Sequence, residues 1–113
     1  MLLYTSNLNS LSAPWQSSSY QWSVSLQHHA VTTDNETDVY LVDATSGCIT
    51  ITLAPTACAL ARRIDIKKID SSVNTVTIDG NLAETIDGSL TKVLSTQYDS
   101  YTIITDGSNW FIL

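Results

Sequence analysis

Charge is scarce in this chain. Only 14% of its 113 residues are charged, against about a quarter in an average soluble domain. Ser, Thr and Asn fill the gap. A surface poor in charge and rich in small hydroxyl residues suits a β protein that lies against neighbours. It suits a free, highly solvated enzyme less well. Cations are the rarest of all, with Lys plus Arg at 5 against 11 Asp plus Glu and a net charge of −6. Four of them, Arg62, Arg63, Lys67 and Lys68, lie in one short stretch. Gripping a phosphate backbone needs a broad basic footprint, so direct nucleic-acid binding is not expected. Long apolar runs are missing too. No stretch approaches the roughly 20 apolar residues of a membrane span, so no membrane partner is expected. Met1 to Tyr4 is apolar but has no basic flank and no extended apolar region. It does not read as a signal peptide, which leads to the expectation of a protein made in the cytoplasm.

Cysteine is nearly absent. Cys48 and Cys58 are the two present. In a reducing compartment they read as small, reduced, mostly buried thiols. A disulfide between them stays open if the flanking segments pair. Their spacing matches no zinc signature. Catalytic motifs are missing as well: there is no Gly-x-Ser-x-Gly elbow, no phosphate-binding glycine loop and no His-Glu-x-x-His.

What is present is β pattern. The chain divides near Asn35. Residues 1–36 are rich in Ser, Asn and Gln, with scattered large side chains and a Ser17-Ser18-Ser19 run. They read as an extended N-terminal arm holding one short strand, Trp22 to Leu26. Its aromatics Trp15, Tyr20 and Trp22 are candidate anchors on a partner. Residues 37–113 read as a β module. Strands are expected at Val39–Val42, Ile49–Leu53, Arg63–Lys67, Thr75–Ile78, Thr91–Leu94, Tyr101–Thr105 and Trp110–Leu113. Asp79-Gly80, Asp87-Gly88 and Asp106-Gly107 mark tight turns. Ala54 to Arg63 fits a single helical turn or a loop. Together these give an all-β, compact antiparallel sandwich or jelly-roll-like domain. Thr77-Ile78-Asp79-Gly80 recurs as Thr85-Ile86-Asp87-Gly88. Two copies are too few for a solenoid, so no β-helix is expected.

From Val42 onward the ordered motifs resemble a β module of tailed-phage tail fibres and small virion proteins. They are Val42-Asp43-Ala44-Thr45-Ser46-Gly47, the run Arg63 to Ser72 leading into Asn74-Thr75-Val76-Thr77-Ile78-Asp79-Gly80, then Glu84 to Gly88, Tyr98-Asp99-Ser100 and Asp106 to Leu113. The resemblance implies a virion component, usually a homotrimer, found at fibre ends or as a stand-alone head protein. The short chain favours a capsid decoration, or cement, protein on the outer head surface. Its partners would be itself and the major capsid protein. A tail-fibre, tail-tip or spike-associated role in host-surface binding is the alternative.

Other chemistry reads weakly. Asp43, Asp65, Asp70, Asp79, Asp87, Asp99 and Asp106 sit mostly beside turns, where a carboxylate bonds local backbone. No glycosidase-like pair stands out among them. His28-His29 would bind metal only if copies met at a symmetry axis. Asp34 to Asp38 is acidic but lacks a calcium-loop spacing. No cofactor and no metal are therefore expected. Arg62, Arg63, Lys67 and Lys68 form either a solvated strand edge or a contact with an acidic partner patch.

Overall fold

The computed structural model describes residues 22–58 and 62–113. Among them are nine strands: β1 Val24–Gln27, β2 Val31–Thr32, β3 Val39–Val42, β4 Ile49–Thr52, β5 Arg63–Lys68, β6 Val76–Asp79, β7 Thr91–Leu94, β8 Ser100–Thr105 and β9 Trp110–Ile112. A 3-10 turn covers Thr56–Cys58, just after Pro55. The strands expected from alternation are all there. The two-residue β2 is additional, being too short to show a period.

The strands form two sheets. Sheet A has the order β1-β3-β5-β8-β9, and sheet B the order β2-β4-β6-β7. From β1 to β6 the chain alternates between them, and the pairs β1·β3, β3·β5, β2·β4 and β4·β6 are parallel. The pairs β5·β8, β6·β7 and β8·β9 are antiparallel. This corrects the expected antiparallel sandwich: both sheets are mixed. Three stacked coils, each giving one strand to each sheet, are followed by an antiparallel cap. Parallel strands need a crossover rather than a hairpin, and here the crossover of each sheet is a strand of the other. The coils share no fixed period, since Val24 aligns with Val39 and Val39 with Asp65. The repeated Thr-Ile-Asp-Gly is not the coil repeat. Its first copy ends β6 and its second makes a turn in the cap.

The inward faces close on one core. Tyr40, Val42, Ile64, Ile66 and Ile103 of sheet A meet Ile49, Ile51, Val76, Ile78 and Leu94 of sheet B around Trp110. The result is a two-layer, sandwich-like body. It begins before residue 37, because β1 and β2 pair in register with β3 and β4. The arm as far as residue 21, including Trp15 and Tyr20, lies outside the described residues.

Two of the Asp-Gly turns work for different reasons. Asp87 and Gly88 both have positive φ, 49° and 84°. Ile86 and Ser89 exchange backbone hydrogen bonds of 2.7 and 3.0 Å across them. This is the two-residue hairpin that Asp-Gly serves best. Gly80 instead answers to crowding: a Cβ there would lie 2.3 Å from the Glu84 carbonyl oxygen. Gly80→Ala is therefore expected to lower stability by about 1–3 kcal/mol through overpacking. Urea unfolding measures it, and an unchanged midpoint would mean that the loop moves aside freely.

A polar cluster locks the second and third coils together at the corner where the chain passes from sheet A to sheet B. Lys68 is 0% exposed. Its ammonium donates to Asp70 Oδ2 at 2.8 Å and to the carbonyls of Asp70 and Ser72 at 2.9 and 3.1 Å. All three donors are thus used. Asp70 also accepts from the Ala44 N–H at 2.8 Å, the Ser72 N–H at 3.1 Å and the Ser72 hydroxyl. Asn74 Nδ2 adds a bond to the Ala44 carbonyl at 2.8 Å. Burial alone would raise the Asp70 pKa. The Lys68 ammonium, the Ser72 hydroxyl and the two N–H donors outweigh it and hold the carboxyl well below its usual range.

Candidate partner interface

The surface that stands out is the outer face of sheet A at its β1 end. In β1 the alternation seen in the sequence is real, but its faces are inverted. Val24 and Leu26 point outward and are 58% and 55% exposed, and Trp22 just before the strand is 55% exposed. Ser25 and Gln27 point inward, and Gln27 Nε2 donates to Ser25 Oγ at 2.6 Å. The register carries the apolar strip onto the next strand, since Val24 aligns with Val39 and Leu26 with Leu41. Both β3 residues are half-buried.

Beyond β3 the same face turns charged. Val39 aligns with Asp65 and Leu41 with Lys67. Asp65 accepts a hydrogen bond from the Thr102 hydroxyl of β8. Lys67 Nζ lies 5.5 Å from the ring centroid of Tyr98, a cation–π distance. Arg63 is exposed at the start of β5. The face thus presents an apolar strip flanked by Arg63 and Lys67. Isolated exposed apolar residues are ordinary, but a contiguous strip with a polar rim marks an interaction surface.

The edges of sheet A differ. β9 is covered: Trp110 exchanges backbone bonds with Thr85 and Asp87 at 2.8 and 3.0 Å. Asp87 Oδ1 accepts from the Ile112 N–H at 3.1 Å. β1 is the opposite terminal strand. Among the described residues nothing pairs with its outer edge. An unpaired edge offers backbone donors and acceptors to another chain. Among the described residues, an open ladder and the apolar face coincide at β1.

The four expected cations divide. Arg63 and Lys67 reach the outer face together with Trp22. Lys68 does not, because strand alternation puts it on the inward side with Ile64 and Ile66. That corrects its expected place on a solvated edge or a partner contact. Arg62 Nη1 bonds Asp38 Oδ1 at 2.8 Å, and its Nη2 bonds the Thr37 carbonyl. Asp38 is itself buried and accepts from the Ser23 N–H at 2.8 Å. Arg62 therefore ties the start of β5 to the corner before β3.

The remaining candidates are mostly turn chemistry. Asp34 Oδ1 accepts from the Glu36 and Thr37 N–H groups at 2.9 and 2.7 Å. The Thr37 N–H, then that of Glu36, lowers its pKa. Asp106 does the same for Ser108 and Asn109 in the β8–β9 hairpin. Asp43 bonds the Thr45 hydroxyl and N–H at 2.5 and 3.0 Å. His28 Nδ1 lies 3.7 Å from Asp43 Oδ2. Among the described residues no group of three His, Cys, Asp or Glu is arranged to hold a metal. Cys48 is a free thiol and is exposed, where a buried one was expected. The Cys58 side chain lies outside the described residues.

The exposed strip could have been anticipated from Trp22, Val24 and Leu26. Alternation gives the two faces of a strand, but not which of them meets the core. No protein-family model matches this chain, and no curated protein matches it.

Proposed function

We propose that this chain is a structural protein of a tailed-phage virion: a capsid decoration protein that assembles as a homotrimer on the outer head surface and ties major capsid subunits together. One observation carries the reading beyond the sequence resemblance. The outer face of sheet A exposes an apolar strip on a strand whose outer edge no other described residue pairs, with Arg63 and Lys67 beside it. Burying such a strip is the way a small non-enzymatic protein adds stability to a shell. An interface of about 1,600 Å² is a standard size for a specific contact. Repeated over many sites, binding of this kind stabilises the assembled state by mass action. In this reading the protein works by burial alone, without a cofactor.

Quantitative mass spectrometry of purified virions provides the test. Hundreds of copies per particle are expected, and a handful would sink the decoration reading. A tail-fibre, tail-tip or spike-associated protein is the second reading. It is favoured by the exposed apolar and aromatic residues in the cap loops, Leu82, Leu90 and Tyr98. In that case the purified protein would bind host cells and be present in low copy.

A further inference from the structure

The chain carries three Asp-Gly pairs, Asp79-Gly80, Asp87-Gly88 and Asp106-Gly107. Each sets up one intramolecular reaction, attack of the glycine amide nitrogen on the neighbouring side-chain carboxyl, because the glycine has no Cβ to block the approach. The fold treats the three pairs differently. Gly80 is buried and crowded, and its N–H donates to the Leu90 carbonyl at 3.0 Å. Asp79 is held in β6 between Thr52 and Thr91. The Gly107 N–H donates to Thr105 Oγ1 at 3.0 Å. The Asp106 carboxylate accepts from the Asn109 and Ser108 N–H groups. Those two bonds lower its pKa and keep it in the ionised, less electrophilic form.

Asp87-Gly88 has neither protection. Both residues are exposed. The bonds of their hairpin run between Ile86 and Ser89, and among the described residues nothing accepts from the Gly88 N–H. A side chain built on Gly88 would meet nothing within 4 Å, so the space around this amide is open. Among the described residues one hydrogen bond holds the Asp87 carboxylate, from the Ile112 N–H to Oδ1 at 3.1 Å. That bond, with the one from the Asp87 N–H to the Trp110 carbonyl at 3.0 Å, is part of what covers the outer edge of β9. The reactive pair and the edge cover are therefore the same turn.

We infer that Asp87-Gly88 is a site of spontaneous isoaspartate formation, and that the change uncovers the β9 edge. The Gly88 nitrogen forms a bond to Cγ of the protonated Asp87 acid. The amide proton and the acid's hydroxyl leave together as water. Water then opens the resulting succinimide at its main-chain carbonyl, which leaves the backbone running through Cγ. The water lost is regained, and no oxidant or reductant takes part. The turn is now one backbone carbon longer, and the free carboxylate is attached at Cα instead of at the end of the side chain. The Ile112 N–H loses its acceptor, and the Ile86–Ser89 pair loses the two-residue spacing of its hairpin. An uncovered edge N–H is open to another chain.

The experiment ages the folded wild-type chain in neutral buffer and, in parallel, the same chain unfolded in urea. Isoaspartate at each Asp-Gly pair is read by peptide mapping with isoaspartyl methyltransferase labelling. In the folded chain Asp87 is expected to convert several-fold faster than Asp79 and Asp106. In urea the three pairs share one local chemistry, and that preference is expected to disappear. Conversion of Asp79 or Asp106 at a rate equal to or above that of Asp87 in the folded chain overturns the assignment, and so does a preference of the same size in urea. The aged folded protein, its conversion at Asp87 known from the mapping, is then compared with fresh protein by hydrogen exchange. Faster exchange of the Ile112 amide is expected, and unchanged exchange there overturns the uncovering of the edge.

Discussion

Asp70→Ala is expected to lower stability by about 3–5 kcal/mol, the range for breaking a buried ion pair from one side. The variant would leave the Lys68 ammonium inside with two carbonyls and no counter-charge. It would also strip the acceptor from the Ala44 and Ser72 N–H groups. Lys68→Met should cost less, because Asp70 keeps its donors from Ala44 and Ser72 and the methionine fills the space. Combining Lys68→Met with Asp70→Asn should recover part of the Asp70→Ala loss, since no buried charge then remains. Urea unfolding of the four proteins orders them. Equal losses for Asp70→Ala and Lys68→Met would show that the charge pair, and not the carboxylate's backbone bonds, dominates.

The same carboxylate sets an acid limb. Its folded pKa lies below its unfolded value, which is near 3.9. Its contribution is therefore fully present above the unfolded pKa and is lost as pH falls through that value toward the folded one. Wild-type stability should drop progressively below about pH 5, and Asp70→Asn should flatten that drop. Parallel acid limbs would place the titrating group elsewhere.

If this face docks on a capsid as proposed, Val24→Asp together with Leu26→Asp is expected to weaken that binding by at least roughly 100-fold. Truncating a hot-spot residue at the centre of an interface costs about 2 kcal/mol or more. Burying two unpaired carboxylates adds to that. Both side chains are more than half exposed in the free protein, so the unfolding midpoint should move by no more than about 0.5 kcal/mol. Arg63→Ala and Lys67→Ala should weaken binding less and chiefly slow association, as rim charges do. Sedimentation of the variants with undecorated particles reads the affinity. Full binding by the double aspartate variant would free this face of any role.

How much of this was legible in the residues depended on the kind of interaction. Strands such as Ile49–Thr52 and Arg63–Lys68 declare themselves locally, because a half-buried strand must alternate. Their pairing does not. Val24 meets Val39, and Val39 meets Asp65, at separations set by corners of unequal length with no turn signature. The Asp-Gly pairs were visible, but they belong mostly to the antiparallel cap. They suggested that the whole body was antiparallel. Lys68 was decipherable in principle, since it continues the inward phase of Ile64 and Ile66. Charge argued the other way, and only Asp70 and the two carbonyls made burial affordable. In β1 the period was clear and the facing was not. The inward Ser25 and Gln27 satisfy each other, so the apolar residues are left outside.

The most direct measurement is a reconstruction of virions with and without this protein, at a resolution that orients its two sheets. The decoration reading predicts density lost at many equivalent positions between major capsid subunits, with the β1 and β3 face of sheet A turned toward the shell. Density lost only at the tail, or sheet A facing solvent at every site, would contradict it.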